Sequence, residues 1–138
     1  MLHGDRGSIS GFVVVVMLAA LVCLGLVVDG GQKIRAYREA YAVAEEAARA
    51  GAGVVDVDRA YAQGGRFELD SGNALAAARA YLTSSGHRGS VAMTSGRTLR
   101  VTVNVSRPTV LLSLIGVGDV TASASASARM LQGIEQGE

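Results

Sequence analysis

Two histidines, one cysteine and a scatter of serines and acidic residues are the side chains from which this chain could build chemistry. A metal site needs several His, Cys, Asp or Glu at spacings that converge on one ion. His3 lies near the first residue and His87 in a predicted loop beside Gly86, and neither has such neighbours. Asp56-Val57-Asp58 lacks the glycine and the later acidic residue of a calcium loop, so it reads as a solvated turn. Gly51-Ala52-Gly53 follows a helical pattern rather than a strand, and no third glycine completes a dinucleotide-binding turn. No serine stands in a nucleophile elbow with a histidine placed to activate it. Asn104-Val105-Ser106 matches a glycosylation acceptor but falls inside a predicted strand. Cys23 has no second cysteine to pair with, which excludes an internal disulfide. These residues predict no enzyme, no metal site, no cofactor and no small-molecule substrate.

Charge points the same way. Apart from Arg6 and Asp5, the 13 Lys or Arg and 12 Asp or Glu are spread without runs from Asp29 onward. A balanced surface of this kind lacks the basic stripe that nucleic acid requires. With no Trp, four Tyr and two Phe, the polar part buries few large side chains, and its length suffices for one small domain.

What the chain does carry is apolar length. Residues 11–28 contain no charged or strongly polar side chain, and Asp29 ends the run. As a helix the run spans roughly 27 Å, close to the hydrocarbon thickness of a bilayer. A cleaved secretory signal would have a more basic start and a shorter apolar stretch, and the run continues past Ala20, the best small-residue position. A buried core helix would need more surrounding chain than is present. The reading is an uncleaved transmembrane helix, with Phe12, Val16, Ala20, Leu24 and Val28 along the anchor and membrane lipid as its partner. Lys33, Arg35 and Arg38 beyond it outnumber Arg6 before it, which on charge alone puts the C-terminal part in the cytoplasm.

Beyond the anchor, residues 32–50 read as helix. Ile34, Tyr37, Tyr41, Ala44 and Ala48 recur at spacings of three and four, and Ala36, Ala40, Val43, Ala47 and Ala50 widen the same apolar face. Arg35 with Glu39, and Glu45 with Arg49, are predicted solvent-side ion pairs four residues apart. Asp29-Gly30-Gly31 is the one weak joint, so anchor and helix form either one rod of about 65 Å or two helices meeting at a hinge. Residues 54–70 form a connector, with a helical turn near Val57 and Tyr61 and a short strand from Arg66 to Leu69. A second amphipathic helix is predicted from Asn73 to Ser84, with Leu75, Ala78 and Leu82 on one face.

The last third switches to period two. Strands are predicted at Ser90–Thr94, Thr98–Ser106 and Val120–Met130, the first two joined by a turn at Ser95-Gly96-Arg97. Leu99, Val101, Val103 and Val105 share one face, as do Ala122, Ala124, Ala126 and Ala128, which implies an antiparallel sheet covered on one side. Between them Thr109–Gly118 is the most apolar stretch outside the anchor. It reads first as a short helix capping the core, and second as an exposed patch for lipid or a partner protein.

Asp5-Arg6-Gly7-Ser8, the apolar helix, Asp29-Gly30-Gly31 and Ala44-Glu45-Glu46-Ala47-Ala48-Arg49-Ala50-Gly51-Ala52 resemble the TadE/TadG group of pilus-assembly proteins, in particular the actinobacterial TadG-related type. The resemblance runs the length of the chain and is most specific in its N-terminal half. It implies a minor pilin or pseudopilin of a tight-adherence (Tad, type IVc-like) system, held in the cytoplasmic membrane with the C-terminal part outside. Its partners would be other Tad pilins or pseudopilins and the Tad assembly membrane proteins. Gly7 and Gly11 become candidate processing sites, although residues 7–28 hold no acidic residue where many family members carry a Glu.

The expected architecture is α+β: one N-terminal transmembrane helix extending into a long amphipathic helix, packed with a second helix on a small antiparallel sheet, pilin-like. Residues 1–10 form a short cytoplasmic segment, 11–28 the transmembrane helix, 29–53 its amphipathic continuation and 54–138 a small extracytoplasmic domain. Ile34, Tyr37, Tyr41, Leu111, Leu112 and Ile115 are the candidate assembly interface, although the stripe through Ile34, Tyr37 and Tyr41 equally suits covering the chain's own sheet. The rival readings are a single-pass membrane protein whose small extracytoplasmic domain senses or scaffolds, and a secreted binding module released by signal cleavage.

Overall fold

Helix α1 runs unbroken from Arg6 to Ala52, 47 residues that include Asp29-Gly30-Gly31. The computed structural model describes residues 6–54, 71–95 and 97–130. The expected connector turn and the strand at Arg66–Leu69, together with Asp56, Asp58 and His3, lie outside the described residues. Of the two forms open for the anchor, the rod is the one observed. Two helical glycines cost roughly 1 kcal/mol each relative to alanine, and an aspartate normally competes for its own backbone amides. The Asp29 carboxylate is instead occupied by amides from a distant loop, so it ends the apolar run without ending the helix.

Helix α2, Ser71–Ser84, starts two residues earlier than its periodicity predicts and buries Ala74, Ala78 and Leu82. Strands β1 (Arg88–Met93), β2 (Thr98–Pro108) and β3 (Asp119–Arg129) follow. They form one antiparallel sheet in the order β1-β2-β3, with Val101 opposite Val91 on one side and Ala126 on the other. The fold is α+β, a long apolar helix continuing into a helix that packs with α2 on a three-stranded antiparallel sheet.

The period-two pattern is realised as predicted. Leu99, Val101, Val103 and Val105 of β2 and Ala122, Ala124 and Ala126 of β3 are buried under the helices. The opposite face is polar and bare, and its hydroxyls pair across strands: Thr102 with Ser125 at 2.8 Å and Ser106 with Thr121 at 3.2 Å. Facing the sheet, α1 buries Ala36, Ala40, Ala44, Ala47 and Ala48. Alanine meets alanine across this contact, which lets the helix lie close to β3 while β2 supplies the larger side chains. Gly51 continues the same face. A Cβ there would stand 2.7 Å from the Ala74 carbonyl, so glycine permits the α1–α2 crossing.

Three local expectations are corrected. Ile34, Tyr37 and Tyr41 do not share the buried stripe with Ala44 and Ala48; all three are exposed. Small side chains win the core-facing positions because the close helix–sheet approach leaves no room for a tyrosine ring. Glu39 is engaged by Arg107 and His87 rather than by Arg35, although Glu45 and Arg49 do pair, at 2.5 Å. The Thr109–Gly118 stretch contains the short 3-10 helix Leu112–Ile115, and none of that helix is buried, so it does not cap the core.

Candidate functional site

From Ile9 to Val28 every residue of α1 is exposed except Gly25. Phe12, Val16, Ala20, Leu24 and Val28 therefore lie on a surface that is apolar all round and bare of protein. The helix is long and apolar enough to cross a membrane. A helix hydrophobic on every side must be surrounded by core or by lipid, and the other described residues do not surround this one. Cys23 belongs to this bare surface. Gly7 and Gly11 fall in the first turns of α1, and a Cβ on Gly11 would touch nothing within 4 Å.

The exception at Gly25 has a cause. The hairpin that joins β2 to β3 reaches back along α1, and a Cβ on Gly25 would stand 3.1 Å from Cβ of Leu111. One turn along the helix, Asp29 is 1% exposed. Its Oδ1 accepts the Val110 amide at 2.7 Å, and its Oδ2 accepts the Leu111 and Leu112 amides at 3.1 Å and 2.7 Å. Charge-assisted hydrogen bonds are roughly twice as strong as neutral ones, so three on one carboxylate make a firm polar tie between helix and loop. Thr109 closes the neck of the hairpin: its amide donates to the Gly118 carbonyl at 2.9 Å, and its hydroxyl donates to the Val117 and Gly118 carbonyls.

Higher on α1, Glu39 makes the second tie. Its Oε2 accepts from the Arg107 guanidinium, and its Oε1 lies 3.1 Å from His87 Nε2. The Arg107 hydrogen bond, followed by that from His87, holds the Glu39 carboxyl below its ordinary value. This cluster joins α1 to the end of β2 and to the approach of β1. Among the described residues no group of three or more His, Cys, Asp or Glu could hold a metal ion.

Between the two ties and just beyond the second, α1 presents its larger side chains outward. Tyr37 is 52% exposed and Tyr41 46%, with Ile34 beside them. Ile34, Tyr37 and Lys33 form one wall of a shallow groove whose other wall is Thr121, Ala122 and Ser123 of the edge strand β3. Leu111 and Leu112 are half-buried against α1, whereas Leu114 and Ile115 point away, 80% and 75% exposed. The six candidate interface residues thus divide into two patches, one on α1 beside the β3 edge and one on the hairpin tip.

A family model for Flp pilus-assembly TadE/G-like proteins matches residues 7–80, more than half of the 138-residue chain. The chain belongs to the TadE/G-like family. No curated protein and no solved structure matches it. The TadE/G-like match takes in α1 and most of α2, while the sheet and the hairpin tip lie beyond it. The family is one of pilus assembly, so this chain is a Tad pilus-related membrane protein.

Sequence reasoning missed two residues of this TadE/G-like chain. Asp29 reads as a boundary marker because it ends an apolar run, yet it is the anchor point of a loop about eighty residues away. Glu39 reads as half of a local pair because Arg35 is four residues before it. The available signal was weak: an acid beside Gly30-Gly31 in mid-helix, and a charge-free stretch bounded by Arg107 and Asp119.

Proposed function

We propose that the chain is a minor pilin-like or pseudopilin-like structural subunit of a Tad (type IVc-like) pilus, acting in assembly or initiation. Residues 1–10 lie in the cytoplasm, 11–28 span the cytoplasmic membrane, 29–53 continue the anchor, and 54–138 form the extracytoplasmic domain. The placement of Lys33, Arg35 and Arg38 argues for the reverse orientation by charge count. All three are exposed on α1 above the apolar run, where basic side chains also suit phospholipid headgroups. The family membership supports the domain being outside.

The observation that carries the reading is the exposure of Ile34, Tyr37 and Tyr41 on the helix that continues the anchor. The core face of α1 uses alanines and leaves these larger side chains exposed among the described residues, at the height where helices of neighbouring subunits would lie side by side. The partners are other Tad pilins or pseudopilins and Tad assembly membrane proteins. A photo-crosslinking residue at position 37 or 41, activated in cells, should capture a pilin-like chain. Capture of only unrelated membrane proteins, or of nothing, overturns the assignment and favours a solitary sensing or scaffolding domain. N-terminal sequencing of the mature chain tests processing at Gly7 or Gly11.

A further inference from the structure

The β2–β3 hairpin tip, the second of the two candidate-interface patches, is an apolar surface on which the assembly reading does not rest and which lies against the anchor. Val110, Leu114, Ile115 and Val117 are exposed, and Leu114 and Ile115 are at least as bare as the large apolar side chains of the anchor itself. No charged residue occurs from Thr109 to Gly118. Position along α1 says where this tip is. Leu111 packs on Gly25, about 6 Å, one helical turn, on the anchor side of Asp29. Gly25 lies inside the charge-free run that ends at Val28. If the run is in the bilayer, Leu111 lies at the depth of its last turn and carries the rest of the tip beside it.

The hairpin is also prepared for such a place. In lipid an unpaired backbone amide costs several kcal/mol, roughly, so an irregular loop must pair its amides internally. The Thr109 amide donates to Gly118, and those of Val110, Leu111 and Leu112 donate to Asp29. The amides of Leu114, Gly116 and Val117 donate to Leu111, Ser113 and Leu112. The Ser113 hydroxyl, the tip's other polar side chain besides Thr109, donates to the Val110 carbonyl at 2.8 Å. Asp29 thus serves two ends: it ties the tip to α1, and it takes up three amides that water would otherwise have to solvate.

We infer that residues 110–117 form a second membrane contact, inserting Leu114, Ile115 and Val117 among the acyl chains of the leaflet on the domain's side. The inference rests on the anchor reading of residues 11–28. The sheet then stands on the bilayer with its β2–β3 end down, and its polar, hydroxyl-bearing face stays in water.

The test uses the full chain in phospholipid vesicles, with Cys23→Ala removing the native thiol. Single cysteines replace Leu114, Val16 or Ser125 and carry an environment-sensitive fluorophore, and a proportion of the lipid carries bromine on its acyl chains as a contact quencher. The expected result is loss of emission from the Leu114 and Val16 probes and none from Ser125, which lies on the open sheet face. A quenched Val16 probe with an unquenched Leu114 probe overturns the inference and leaves the anchor standing. That holds also if the Leu114 probe is blue-shifted, since protein rather than lipid then covers it. Unquenched Val16 and Leu114 probes overturn the anchor and the inference together. Ile115→Cys supplies a second reporter should Leu114→Cys fail to fold.

Discussion

The amide of Leu112 donates to the carboxylate of Asp29 at 2.7 Å, across 83 residues of chain. With Val110 and Leu111 donating to the same carboxylate, the bond makes Asp29 the fastening between the anchor helix and the β2–β3 hairpin. Asp29→Ala leaves three amides without their acceptor. A loss of roughly 2–4 kcal/mol in stability is expected, read as a lower unfolding temperature in detergent micelles. Asp29→Asn keeps one acceptor oxygen and should lose about half as much. Equal stability of all three proteins would show that the fastening is not made in solution.

Gly25→Leu tests the packing beneath that bond. A Cβ at position 25 meets Leu111 at 3.1 Å, so a leucine must push the hairpin off α1. The substitution makes the anchor more apolar, so membrane retention should be unchanged. Amide hydrogen exchange at Val110, Leu111 and Leu112 should accelerate, and unchanged protection there would contradict the packing.

The Glu39 cluster sets an acid limit. Arg107, then His87, depress the Glu39 carboxyl below its ordinary 4.5, so the folded state binds that proton less readily than the unfolded chain. The cluster's contribution is fully present above that value and is lost as the pH falls through the depressed one. The side chain of Glu39 is 33% exposed, so solvent screening keeps the effect modest. Glu39→Gln should lower stability at neutral pH and flatten its fall in acid. Parallel acid-unfolding curves for the two proteins would rule the linkage out.

Opposite outcomes are expected on the two sides of α1. Ala40 and Ala44 are fully buried against the sheet, and Ala40→Leu should overpack the contact and cost about 1–3 kcal/mol. Tyr37→Ala, on an exposed position, should change stability by no more than about 0.5 kcal/mol. Under the assembly reading it should nonetheless reduce pilus formation, scored by electron microscopy of cells. A Tyr37→Ala protein that unfolds readily would place the ring in the core instead.

The sheet was readable from the residues because it is covered on one side only. Leu99, Val101, Val103 and Val105 alternate with Arg100, Thr102, Asn104 and Ser106, and period two survives in the pattern. Helix α1 was readable as a helix but not in its rotation. Alanine and tyrosine both count as apolar, and only the distance between helix and sheet decides that Ala40 goes in and Tyr41 stays out. Of the two readings open for the Thr109–Gly118 stretch, the core cap fails and the exposed patch holds, and hydrophobicity alone does not distinguish a position under a sheet from an exposed one. Asp29 and Glu39 were beyond reach of local rules, because their partners are brought to them by the β2–β3 hairpin folding back along α1.

The unbroken passage of α1 through Gly30 and Gly31 has a mechanical consequence. The rest of the fold grips this helix at Gly25, Asp29, Glu39 and Gly51, over about 39 Å of its axis at the standard rise. A swivel between stalk and head would have to break those grips in series. Any tilt or axial pull delivered to the lower end therefore reaches the sheet as rigid-body displacement, with little slack to absorb it. Helix α1 is built as a strut rather than a tether.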